Sequence, residues 1–143
     1  MKSAIFYIDG GSRGNPGEAG YGIYVLGKDD QALAEIYGYL GIQTNNFAEY
    51  QGLLEALKFA RKLNLDSIEI RSDSELLVRQ IQGSYRVKSP TLRPLYEQAK
   101  RMIAELKRFS IRHVRREMNK EADRLANEAM DTRKTAAHIP SSE

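Results

Sequence analysis

The sequence predicts an α/β fold: a five-stranded mixed sheet flanked by helices, with strands one to three antiparallel and strands four and five parallel to strand one. Three observations predict it. The first forty residues break into β-rich segments separated by turn residues. Two short alternating runs, 67–72 and 109–114, come later, each after segments of helical spacing. The resulting order, β-β-β-α-β-α-α-β-α, calls for right-handed crossovers, which lay the late strands parallel to the first.

Ala4-Ile5-Phe6-Tyr7-Ile8 reads as a buried strand that stops at Asp9-Gly10-Gly11, being rich in residues that suit a pleated, packed surface. Residues 10–20 hold five glycines and one proline and read as a loop. Residues 21–26 and roughly 32–39 alternate, and Gly27-Lys28-Asp29-Asp30 between them supplies turn chemistry for a hairpin. Thr44-Asn45-Asn46 offers helix N-caps. Tyr50, Leu53, Leu54, Leu57, Ala60 and Leu63 then recur at helical spacing, which predicts an amphipathic helix to about Leu63. Ser67 to Ser72 alternates as a strand up to Asp73, and a helix runs from Glu75 to Gln82, closed by Gly83. A connector with two prolines leads to helical residues 95–107, then a strand over 109–114, a polar loop over 115–119 and a helix over 120–130. Residues 1–130 are expected to form one domain and 131–143 a flexible tail, because the end of the chain lacks periodicity.

The composition excludes several classes of function. With 143 residues, 41% hydrophobic and 29% charged, the chain suits a single ordinary core. It has no cysteine, so disulfides, thiolate metal sites and a cysteine nucleophile are absent together. The apolar run near the start is too short for a signal peptide, and no stretch approaches a membrane span. A cytoplasmic, monomeric protein with no membrane association and no small-molecule cofactor is expected. Formal net charge is +3, but from Lys100 to Arg116 seven basic residues face one acid, Glu105, a net of +6. That strip is either a solvated face or a phosphate-contacting one.

Four acids fall where elements begin or end. Asp9 closes strand one and Asp73 closes strand four. If those strands are parallel neighbours, both carboxylates leave the same sheet edge, where ligands gather in open α/β sheets. Glu49 lies one turn into the first long helix, and Asp123 near the start of the last. Singly, each has an ordinary role: turn former, helix-dipole partner, helix cap, surface acid. Brought together, they would repel one another unless protonated or neutralised by a cation. Hard divalent ions such as Mg2+, with Mn2+ as substitute, prefer such oxygen ligands. Two such ions about 4 Å apart can activate a water and stabilise the leaving oxygen of a phosphodiester hydrolysis.

The motifs around these acids resemble the type 1 ribonuclease H family. They are Ile8-Asp9-Gly10-Gly11-Ser12-Arg13-Gly14-Asn15-Pro16-Gly17, Thr44-Asn45-Asn46-Phe47-Ala48-Glu49-Tyr50, Ser72-Asp73-Ser74, and Glu117-Met118-Asn119-Lys120-Glu121-Ala122-Asp123-Arg124-Leu125-Ala126. They lie in the family's order over roughly residues 4 to 130. The resemblance implies a ribonuclease H-like sheet with strand one between strands two and four. It implies cleavage of the RNA strand of RNA–DNA hybrids to a 3′-hydroxyl and a 5′-phosphate. It assigns Asp9, Glu49, Asp73 and Asp123 as catalytic metal-binding acids and puts Gly10 at the metal site. Hybrid-binding roles follow for Gly10, Gly11, Arg13, Gly14, Asn15, Thr44, Asn45, Asn46, Ser74 and Glu75, although many relatives carry glutamine where Glu75 stands. Amide groups can reach base edges or the 2′-hydroxyl that marks RNA; turn and cap chemistry is the competing reading for the asparagines.

Two departures stand out. Longer relatives carry a histidine in a Gly-His loop before the last acid. Here the segment is only Val114-Arg115-Arg116-Glu117-Met118-Asn119, and His113 falls on the preceding strand. Longer relatives also insert a basic helix and loop that grips the hybrid, and here Gln82 to Lys88 runs quickly into Pro90. Arg86, Lys88, Arg115 and Arg116 are the candidate replacement cations, with salt-sensitive binding expected. Two alternatives remain open at this point: a non-catalytic nucleic-acid-binding domain, and a nuclease of this fold acting on double-stranded RNA.

Overall fold

The computed structural model describes residues 2–140. The chain runs β1 (Ser3–Gly14), β2 (Gly17–Leu26), β3 (Ala32–Gln43), α1 (Asn45–Lys62), β4 (Ser67–Ser72), α2 (Glu75–Ile81), α3 (Arg93–Ala104), β5 (Arg108–His113), α4 (Lys120–Thr132) and β6 (Ala136–His138). Single 3-10 turns span Lys28–Asp30 and Arg116–Met118. The sheet order is β5-β4-β1-β2-β3-β6. β1 to β3 form the expected antiparallel meander, and β4 and β5 run parallel to β1.

The helices cover both faces of the sheet. α1 packs on β1 and β2 and carries α3 beside it, whereas α4 lies across β2, β1 and β3. Beneath α1, the alternate residues Ala4, Phe6 and Ile8 of β1 and Ile68 and Ile70 of β4 meet Leu53, Leu54 and Leu57 in one core. Phe6 and Phe59 meet edge to face with centroids 6.4 Å apart, a favoured aromatic geometry. α4 approaches closely because β2 carries glycine beneath it. A Cβ on Gly22 would overlap the Ala122 carbonyl and the Ala126 amide.

Three expectations are corrected. The glycine-rich segment after Ile8 is a hairpin, not a loop. β1 continues to Gly14 and pairs with β2 as far as Gly14 opposite Gly17, leaving Asn15-Pro16 as a two-residue tip. Backbone groups make that ladder and glycine supplies them as well as any residue, so side-chain patterning gives no sign of it. The sheet has six strands rather than five. Residues 136–138, read as part of a loose tail, pair antiparallel with the β3 edge, and the Tyr39 amide donates to Thr135 Oγ1 at 3.1 Å. A three-residue edge strand is set by the partner it finds, not by its own periodicity. The remaining tail residues, 141–143, lie outside the described residues. Finally, α3 begins at Arg93 with Pro94 in its first turn, ahead of the expected Leu95, because proline is well suited to the opening of a helix. Among the described residues, no helix is long and apolar enough to cross a membrane.

Candidate active site

The parallel register of β1 and β4 brings two of the acids together. Ile8 stands opposite Ser72, the last pair of that ladder, so Asp9 and Asp73 follow it off the same edge. Glu49 arrives from α1, one turn after Thr44, whose hydroxyl caps the helix by accepting from the Phe47 amide at 3.2 Å. α1 sits this close because Gly10 has no side chain; a Cβ there would overlap the Ala48 carbonyl and the Glu49 amide. The next residue, Tyr50, is buried and donates to Gln80 Oε1 at 2.6 Å, which ties α1 to α2. One carboxylate oxygen from each of Asp9, Glu49 and Asp73 lies within 4.8 Å of the others. Asp123 comes from the first turn of α4, stands beside Asp9 and lines the same solvent-open cleft of about 430 Å³.

These acids are held against their ordinary chemistry. Glu49 is only 8% exposed. Burial raises the Asp9 carboxyl from 3.8 to about 9, with the charges of Glu49 and Asp73 adding to the rise. Burial likewise raises Glu49 from 4.5 to about 8, aided by Asp73, while hydrogen bonds from the Gly10 amide and the Ser74 hydroxyl oppose it. Asp73 is also raised by burial, against the pull of the Arg116 charge and the Asn119 amide. Glu49 Oε1 is buried with no hydrogen-bond partner among the described residues. Carboxylates crowded this closely accept either protons or a cation. The donor set is all oxygen, the chemistry of magnesium or manganese rather than of a softer metal.

The residues expected to contact a substrate divide into two groups. Gly10, Gly11, Arg13, Asn45, Asn46, Ser74 and Arg116 line the cleft with the acids. Gly14, Asn15, Thr44, Glu75 and Arg115 stand outside that lining. The asparagines do structural work as well. Asn45 Oδ1 accepts from the Ser12 amide at 2.7 Å, and Asn15 Oδ1 accepts from the Asn45 amide at 3.1 Å. The hairpin tip is thereby stitched to the start of α1, as the turn-and-cap reading expects. Arg13 pairs with Asp131 at 2.7 Å and also donates to Asn127. Glu75 pairs with Arg79 one turn on, and Arg115 with Glu117 at 3.7 Å. Near where longer relatives carry the loop histidine, Arg116 reaches the cleft, whereas His113 is exposed on β5 and Glu117 borders a separate hollow with Tyr7 and Tyr24.

Reading the sequence missed one residue at this site. Asn119 is 1% exposed, and its Nδ2 donates to the Ile8 carbonyl at 2.9 Å, immediately before Asp9. The available signal was an asparagine at the cap position of the last helix, inside the fourth motif.

With this geometry in view, the comparisons with known proteins are specific. The family model described as reverse transcriptase-like matches residues 7–129. The bifunctional protein Rv2228c of Mycobacterium tuberculosis is 45% identical over 128 residues, covering 89% of this chain and 35% of that protein. Ribonuclease HI of Halobacterium salinarum is 42% identical over 125 residues, covering 87% of this chain and 63% of that protein. The chain therefore spans between about a third and two thirds of these curated relatives. The crystal structure of RNase H1 from the same archaeon superposes with a TM-score of 0.88 at 40% identity, covering 91% of this chain and 98% of that one. LC11-RNase H1, solved in complex with an RNA/DNA hybrid, gives 0.86 at 40% identity, with the same coverage.

Proposed function

Because this chain belongs to the type 1 ribonuclease H family, we propose that it is a metal-dependent endonuclease that hydrolyses the RNA strand of RNA–DNA hybrids. The observation that carries this reading is the meeting of Asp9, Glu49 and Asp73 within 4.8 Å, with Asp123 beside Asp9. The hybrid in the LC11-RNase H1 complex supports the choice of substrate.

Asp9, Glu49, Asp73 and Asp123 would hold the divalent ions, two per site, with Mg2+ expected and Mn2+ able to replace it. Bound there, the ions supply an activated water and stabilisation of the leaving oxygen, giving a 3′-hydroxyl and a 5′-phosphate. The protein's own residues do the rest. Ser74 and the Gly10 amide stand beside Glu49 and favour its ionised form. Arg116 brings positive charge to Asp73 and the cleft wall, where it can meet a phosphate of the cut strand. Asn45 and Asn46 border the cleft at the start of α1, within reach of a 2′-hydroxyl. Gly11 keeps the wall low, with open space where a Cβ would stand.

The test is cleavage of end-labelled substrates with magnesium and with manganese. Hybrid should be cut in its RNA strand, while duplex DNA and single strands survive. Cleavage of duplex RNA in preference to hybrid would assign another substrate. Binding of hybrid without cleavage in either metal would leave a non-catalytic binding domain.

A further inference from the structure

Among the described residues, two buried side-chain polar atoms lack a hydrogen-bond partner: Glu49 Oε1 and Asn119 Oδ1. The first belongs to the acid cluster. The second belongs to a residue with no charge, no exposure and no role in the reading above. An asparagine buried to 1% exposure is costly unless its amide is fully used. Its position shows what the amide is used for.

Asn119 touches the supports of three acids. Its Nδ2 donates to the Ile8 carbonyl at 2.9 Å, fixing the peptide that precedes Asp9. The same amide lies against the Asp73 carboxylate and favours its ionised form. Its backbone carbonyl accepts from the Asp123 amide at 3.1 Å, the bond that opens α4. Its own amide donates to the Arg116 carbonyl at 2.9 Å, closing the 3-10 turn that carries Arg116. The end of β1, the end of β4 and the start of α4 thus meet at one residue, whose side chain reaches the strands and whose backbone opens the helix. No backbone ladder does this, because α4 lies across the sheet and shares no strand pairing with it.

We infer that Asn119 is a positioning residue for the metal site, setting the spacing of Asp9 and Asp123 about Asp73 through its buried amide. The inference rests on the proposed nuclease reading, since the spacing matters only if the acids share cations. Partners that orient metal ligands commonly cost about 10–100-fold in metal affinity or activity when removed. That range is expected for Asn119→Ala, and also for Asn119→Asp, which keeps the shape but has no N–H to donate to Ile8.

The experiment measures three things on wild type, Asn119→Ala, Asn119→Asp and the core control Leu57→Ala. They are magnesium and manganese binding by calorimetry without substrate, the split of kcat from KM on hybrid, and the thermal midpoint. Both Asn119 variants should bind metal about 10–100-fold more weakly and lose kcat, with KM for hybrid changed less than threefold. Leu57→Ala should lower the midpoint yet bind metal as wild type does below its transition. The inference is overturned if the Asn119 variants match wild type in metal affinity and kcat, or behave like Leu57→Ala with only the midpoint moved. If Asn119→Ala fails to fold, Asn119→Asp decides by the same criteria. A wild-type protein that binds no metal and cuts no hybrid would instead defeat the nuclease reading.

Discussion

The acid cluster lies in the cleft and the hairpin tip stands outside its lining, and the two handle polar groups in opposite ways. At the tip, polar motif residues pair with one another or with nearby backbone: Ser12 with Asn45, Asn45 with Asn15, Thr44 with Phe47, and Arg13 with Asp131. At the cluster, half-buried Asp9 and buried Glu49 crowd each other and Asp73, and Glu49 Oε1 has no partner among the described residues. The tip is built as a folded protein ordinarily is, with donors and acceptors matched. The cluster is stable only if something outside the chain, a proton or a cation, completes it. The unmatched groups lie where the proposed chemistry is placed, while residues of equally distinctive sequence a few positions away hold the fold together.

Breaking the cluster should have the largest effect. Asp9→Asn should reduce hybrid cleavage by more than the roughly 10–100-fold typical of a metal ligand's supporting partner, checked by steady-state rates at saturating magnesium. The same substitution should stabilise the metal-free protein at pH 8, because it removes a carboxyl that burial disfavours as a charge.

The metal-free protein should also lose stability as pH rises. The folded state holds the Asp9 and Glu49 protons up to about 9 and about 8, whereas ordinary carboxylates release theirs near 3.8 and 4.5. Between these limits the unfolded chain binds fewer protons than the folded one, so rising pH favours unfolding. The thermal midpoint in chelator should therefore fall from about pH 4 to about pH 9, and magnesium should raise it most at the alkaline end. A midpoint flat across that range would mean the acids are not protonated in the folded state.

Breaking the tip should do less. Asn45→Ala removes the acceptor for the Ser12 amide, a cost of about 1 kcal/mol and roughly 3 °C in a domain of this size. Cleavage by this variant should weaken mainly through KM. Smallest of all is the contrast of two neighbouring arginines. Arg116→Ala should raise KM and flatten the salt dependence of binding by about one phosphate contact. Arg115→Ala should change little, since Arg115 is exposed and, among the described residues, pairs with nearby Glu117 alone.

How much of this was legible differs along the same line. Asp9 and Asp73 could be brought to one edge from sequence because each follows a strand legible in its own pattern, apolar before Asp9 and alternating before Asp73, and right-handed crossovers make those strands parallel. Glu49 and Asp123 were legible through the motifs around them. The extended hairpin was not, since a ladder made of glycine backbone leaves no side-chain alternation. Nor was β6, whose three residues are ordered by the edge of β3. The tie from Arg13 to Asp131 joins residues far apart in sequence across a surface that no local pattern describes. Asn119 stood in the fourth motif and at the end of a polar loop, but the carbonyl it holds lies 111 residues away.

The central claim is that these four carboxylates act through divalent ions on hybrid RNA. Its most direct test is the rate of cleavage of an end-labelled RNA–DNA hybrid as magnesium is titrated from chelator upward, for wild type and Asp9→Asn side by side. Cleavage should be absent in chelator, climb with magnesium for wild type, and stay flat for Asp9→Asn. Cleavage that persists in chelator, or an Asp9→Asn protein that follows the wild-type curve, would contradict it.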